Sequence, residues 1–321
     1  MGHGLLQNDE MFSVGQRPWH GLGKVITEAP SIEEGIKLAG LDWSVDLKEV
    51  AVEGNIVKGY KAAMRSSDNS CLGIVTDQYK VLQNKDAFNF FEPFLDAGQA
   101  TLETAGSLKK GKRVWILAKL DLDDMIIDEK TNDRVEKFLL LSNSHDGTAA
   151  VKVGYCPIRV VCNNTLTAAE ESVDSSLIRV THRGDVLGSL DMVRDAMVAM
   201  DASFKTTEEL YKKLANTKNI KSEDIKKYVQ AVYSIQDMNK NFEDNTAITE
   251  EEISSQRKKL IARVEELFEL EPVRSAWTMY NSVNYVLNHE RGRSDESRYN
   301  SVWFESGKRL DRQALKVALT Y

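Results

Sequence analysis

The side chains best suited to proton transfer or metal ligation are five histidines, His3, His20, His145, His182 and His289. They share no metal-ligand spacing, and no HExxH, phosphate-binding P-loop, GxGxxG or GxSxG pattern occurs. Ser144-His145-Asp146-Gly147 does bring catalytic residue types together. Adjacent side chains on a strand point to opposite faces, so His145 and Asp146 cannot pair there without a bend. Asp-Gly is also a favoured hairpin turn, and that reading is preferred. No catalytic set, metal site or cofactor is therefore assigned. A third functional reading, an enzyme built around His20, His145 and Asp146, stands behind two others.

Binding chemistry reads more clearly than bond chemistry. A single strand of nucleic acid needs cations for its phosphates and flat apolar surface for its bases, without sequence readout. Lys109, Lys110, Lys112, Arg113 and Trp115 supply both on one predicted hairpin. Lys152, Tyr155 and Arg159 form a second, sparser group, and Arg291, Arg293, Arg298, Lys308, Arg309 and Arg312 make the C-terminal stretch basic. Solvated charged faces have the same composition, so the fold must decide. Trp115 either stacks on a base or, as a strand residue, faces the core. Arg17-Pro18-Trp19-His20-Gly21-Leu22-Gly23 has no periodicity. Either Trp19 plugs into the core, or Arg17, Trp19 and His20 contact a ligand or a second subunit.

The elements that must position these groups divide by glycine. Seventeen of the nineteen glycines of this 321-residue chain lie at or before Gly188, so turn-rich structure gives way to helix near there. The expected class is α+β: residues 1–187 as a mixed or antiparallel sheet of about seven strands with interspersed helices, residues 188–321 as an all-helical region. Ser31-x-x-Glu34 is a capping box whose helix Gly40 closes. Strands are expected at Trp43–Leu47, Tyr60–Met64, Leu72–Leu82, Phe138–Ser142, Ala149–Val153 and Ile158–Val161. Ala100–Leu120 reads as a hairpin turning at Lys109–Lys112. Gly54 and Gly59 bracket a turn, Asn84 caps a helix with Phe88, Phe91 and Leu95, and Asn163-Asn164-Thr165 caps another. Thr206–Glu209 and Thr249–Glu252 are further capping boxes. The second opens a helix with Ile253, Leu260, Ile261, Val264, Leu267 and Phe268 on one face, a stripe wide enough to suggest a subunit interface.

With 42% apolar and 28% charged residues the composition is globular. The net charge of -7 counts against indiscriminate coating of nucleic acid, although phosphate attraction is local. Glu103–Lys119 holds Lys109, Lys110, Lys112, Arg113 and Lys119 against one acid, and the next segment to Glu136 is acidic. Cys71, Cys156 and Cys162 are odd in number and lack CxxC spacing, which disfavours disulfides and zinc. No run approaches the roughly 18 apolar residues that cross a bilayer, and Met1–Glu10 lacks signal-peptide character. A cytoplasmic protein without membrane contact is expected.

Four blocks then carry a resemblance: the Arg17–Gly23 segment, Tyr79-Lys80-Val81-Leu82-Gln83-Asn84, Glu103–Leu108 with Gly111-Lys112-Arg113-Val114-Trp115, and Arg159–Leu166. In this order, with Ala276-Trp277 onward to Trp303, they resemble the DUF932 family of phage/plasmid-like proteins of unknown function. The resemblance implies a phage, prophage or plasmid origin in a bacterial host and transfers no mechanism. By analogy of outline alone, a hairpin sheet backed by helices is similar to Rad52-like single-strand annealing proteins. The leading expectation is therefore an ATP-independent homo-oligomer that binds and anneals single-stranded DNA, with RNA not distinguished. Lys109, Lys110, Lys112, Arg113 and Arg159 would hold phosphates, with Lys152 beside them. The alternative is a non-enzymatic interaction protein, such as a host-takeover or anti-defence factor.

Overall fold

The computed structural model describes residues 11–15, 23–159, 164–165, 178–198, 201–234, 255–291 and 306–321. Its first part runs β1 (Met11–Val14), β2 (Lys24–Ile26), α1 (Ile32–Leu38), β3 (Val45–Val52), β4 (Asn55–Arg65), β5 (Cys71–Thr76), α2 (Asn84–Asn89), α3 (Glu92–Asp96), β6 (Ala100–Leu108), β7 (Arg113–Leu120), β8 (Met125–Asp128), β9 (Asp133–Ser144), β10 (Val151–Arg159), β11 (Asn164–Thr165) and β12 (Ile178–Val180). Helices follow: α4 (Val186–Val198), α5 (Asp201–Asn216), α6 (Ser222–Ser234), α7 (Ser255–Leu270), α8 (Ala276–Tyr285) with a π-helical turn at Val286–Glu290, and α9 (Ser306–Ala318). The class is α+β, sheet first and helices after.

Among the described residues the strands form two sheets rather than one of about seven strands. The larger has nine strands in the order β11-β10-β9-β7-β6-β1-β2, with β12 on β10 and β8 on β9. Only β1–β2 is parallel. The smaller is the antiparallel β3-β4-β5. One continuous core joins sheet and helices, from Phe12 through Val114, Leu139 and Trp277 to Ala318. The opposite face of the large sheet buries a second group, Met11, Leu108, Trp115, Leu117, Phe138, Leu140 and Cys156.

Local chemistry explains most elements. Ser31 and Glu34 close the capping box on α1, and Gly40 follows it with a φ of +61°. The β3–β4 turn is Glu53-Gly54, both left-handed, between paired Val52 and Asn55. Gly59 is not part of that turn; it lies inside β4, where the pairing with β3 shifts. The two strands expected at Ala149–Val153 and Ile158–Val161 are one, β10, which starts at Val151 and is described as far as Arg159. Pro157 is tolerated between them because β12 pairs only up to Val153 and β11 only from Ile158.

Four further expectations change. Asn84 is the first residue of α2, not its cap, because its side chain is engaged elsewhere. Asn164-Thr165 pairs as β11 with Ile158 and Arg159. Thr206–Glu209 lies within α5, not at its start. Ile261, Val264 and Phe268 of α7 are buried in the chain's own core, with Leu260 and Leu267 packed against it, so the described part of that stripe packs within this chain. Thr249 and Ile253 lie outside the described residues. Among the described residues no helix is long and apolar enough to cross a membrane.

Candidate nucleic-acid interface

Strands β6 and β7 pair from Ala100 opposite Leu120 to Leu108 opposite Arg113, which leaves Lys109–Lys112 as the turn. Lys109, Lys110 and Gly111 are all left-handed, with φ of 55°, 59° and 86°. Two consecutive lysines in that region are strained, so the surroundings must hold them there. Gly111 lies on the indole of Trp43, where an added Cβ would stand 2.9 Å from the ring. The carbonyl of Lys112 accepts the His145 N–H at 2.8 Å. The tip is thus fixed from two sides, with Lys110 exposed and Lys109 and Lys112 half-buried.

A further cation joins it. Arg65, at the end of β4, lays its guanidinium 4.5 Å from the Trp43 ring centroid. Its Nε donates to Ser67 Oγ at 2.9 Å, and its Nη1 lies 3.6 Å from where a Gly111 Cβ would be. Trp43 is itself held by an Nε1–H bond of 2.8 Å to the Gly40 carbonyl. Nothing in the spacing of the sequence points to Arg65, because its partner is the tip of a different hairpin.

The remaining predicted binding residues do not all reach this surface. Arg113 is 6% exposed and turns inward, its Nη2 donating to Thr148 Oγ1 at 2.9 Å. The hydroxyls of Ser144 and Thr148 both donate to Asp146 Oδ1 at 2.5 Å. Burial pushes the Asp146 carboxyl up, but those bonds and the Arg113 charge outweigh it and hold it below the usual carboxylate range. Trp115 is also 6% exposed, with its ring over Gly106, where a Cβ would come within 2.6 Å. It faces a core and leaves no open face for a base. Trp115 and half-buried Lys152 flank Ser142 in register, on the same side of the sheet. Arg159 pairs opposite Val135 and Asn164. Arg17, Trp19, His20, Arg293 and Arg298 lie outside the described residues.

Behind the tip is a buried polar bracket that the sequence did not announce. The Asn84 amide donates to the carbonyls of Leu41 and Trp43, so its Oδ1 accepts from His145 Nε2 at 2.9 Å. His145 Nδ1, fully buried, has no hydrogen-bond partner. Burial, helped by nearby His182, pushes this imidazole down to about 3, so it is neutral. His182 donates from Nδ1 to the Lys80 carbonyl at 2.9 Å and stacks on Tyr79 at 4.5 Å. The Tyr79 hydroxyl donates to the Ser144 carbonyl at 2.6 Å. His145 and Asp146 are thus engaged with different partners, in a connection between Ser144 and Val151 that is longer than the two-residue hairpin turn expected from Asp146-Gly147. Among the described residues no group of three or more His, Cys, Asp or Glu is placed to hold a metal ion.

The model of one protein family, described as a domain of unknown function (DUF932), matches residues 71–303. No curated protein and no solved structure matches the chain. The matched span contains the tip and most of the bracket, while Trp43 and Arg65 precede it.

Proposed function

The chain belongs to the DUF932 family, and from its own geometry we propose that it binds single-stranded DNA and anneals complementary strands without ATP. It does so as a homo-oligomer in phage or plasmid recombination or replication, in the cytoplasm of a bacterial host. The observation that carries this reading is the rigid tip. Lys109 and Lys110 stand on left-handed backbone, Lys112 closes the same turn, and Arg65 lies beside it. Several cations on a preformed turn neutralise adjacent phosphates without the entropic cost of gathering flexible side chains. Annealing makes and breaks no covalent bond. It needs phosphate repulsion screened and base edges left free, which a backbone-holding tip allows.

Arg113 supports this surface from inside, through Thr148 and the Asp146 turn, and Trp115 takes no part in stacking. The test is the rate at which two complementary oligonucleotides form duplex in the absence of nucleotide triphosphate. Wild-type protein accelerates duplex formation, and the K109E/K110E/K112E variant loses most of that acceleration. Unchanged annealing by the variant would remove the tip from the mechanism.

One observation favours a second reading, an interaction protein of a mobile element. The small sheet exposes Val52, Ile56, Tyr60 and Ile74, apolar side chains spread over its three strands. Absence of any strand binding at low salt would put this reading first.

A further inference from the structure

The binding tip supplies cations but no flat surface, because Trp115 is buried. Such a surface lies next to it. Trp43 is almost wholly buried, and what covers its face is the guanidinium of Arg65. Its Nε donates to Ser67, and the charge of nearby Asp68 acts on it without a salt bridge among the described residues. Arg65 is only half-buried, a guanidinium lying over an indole has a second flat face, and bases stack on arginine planes much as they do on aromatic rings. Beside it, nothing among the described residues accepts from the N–H of Lys110 or of Gly111. Both residues are left-handed within the same turn, so their amides stand next to the lysine side chains.

Resting on the proposed single-strand binding, the geometry points to a site for one nucleotide unit, with its base stacked on Arg65 and its phosphate on the Lys110–Gly111 amides and the tip lysines. The ladder Trp43–Arg65–base makes Arg65 a ligand-contacting residue and Trp43 the residue that positions it. It also accounts for glycine at position 111, since any side chain there would push the indole away from the guanidinium. Stacking of this kind reads no sequence, and the contact is equally open to DNA and RNA.

The experiment compares an unstructured thymidine oligonucleotide with an abasic oligonucleotide of equal length, by fluorescence anisotropy at low salt. Wild-type protein should bind the base-containing strand about three- to tenfold more tightly. Arg65→Lys keeps the charge but not the plane. It should bind the abasic strand as wild type does and lose the preference for bases, while its thermal melt stays close to that of wild type. Equal wild-type affinity for the two strands overturns the stacking site, with or without a usable variant, and leaves single-strand binding standing. A preference that survives in Arg65→Lys overturns the role of Arg65. No binding of either strand overturns both the site and the reading beneath it.

Discussion

At its turn, the β6–β7 hairpin carries Lys109, Lys110 and Lys112, with Gly111 seated on Trp43. At its open end it carries Glu103, in a bulge between Leu102 opposite Ala118 and Thr104 opposite Leu117. There Lys119 is engaged by Glu136 at 2.5 Å, and burial pushes the Glu103 carboxyl up to about 7, against the pull of Lys119 and with help from Glu136. One strand pair thus ends in cations that reach solvent and, at the other end, in a carboxyl that burial keeps mostly protonated below neutrality. The contrast shows why a count of charges along β6–β7 is a poor guide to function. Lys119 and Arg113 carry the same charge as the tip lysines, but one is paired with Glu136 and the other is turned inside.

The largest expected effect lies between these ends. Arg113→Ala removes a buried guanidinium and leaves Thr148 without its donor, so urea unfolding should show a loss of about 2–4 kcal/mol. A loss below about 0.5 kcal/mol, with strand binding abolished, would mean that Arg113 reaches ligand rather than Thr148.

A smaller effect separates the two ends by the sign of their pH dependence. His145 titrates at about 3 when folded against 6.5 ordinarily, so unfolding takes up a proton between those values. Its contribution is complete above 6.5 and is lost as pH falls. Glu103 titrates at about 7 when folded against 4.5 ordinarily, so unfolding releases a proton between those values and stability falls as pH rises. Glu103→Gln should therefore melt higher than wild type at pH 8 relative to its behaviour at pH 4, whereas His145→Asn should flatten the acid limb. Parallel melting curves for wild type and Glu103→Gln at both pH values would contradict the buried, raised carboxyl.

How much of this was legible follows from the range of the interactions. The capping box of Ser31 and Glu34, the Lys109–Lys112 turn and the Asp146-Gly147 turn rest on residues within a few positions of one another, and the sequence shows them directly. The separate small sheet does not, because its docking depends on Gly73 lying against Asp146, where a Cβ would come within 2.7 Å of the backbone. Arg113 reads as a surface cation until Thr148, 35 residues away, is known to be its partner. Arg65 ends β4 and Trp43 lies just ahead of β3, and both meet the tip only through tertiary contacts. Alternation marked Trp115 as a strand residue but left open which face was covered.

The central claim is that the tip lysines Lys109, Lys110 and Lys112, and not Lys119 or the buried Arg113, hold phosphates. The most direct test is the salt dependence of binding to an unstructured oligonucleotide, measured for wild type and for K109E/K110E/K112E. Each phosphate neutralised on a single strand contributes a log–log slope of about -0.7, so three lysines at the tip predict a wild-type slope near about -2. The triple variant should bring the slope towards zero and weaken binding while still unfolding cooperatively, and Lys110→Glu alone, at the exposed position, should leave the melting temperature nearly unchanged. A wild-type slope near zero, or a slope that the triple variant leaves intact, would contradict the account.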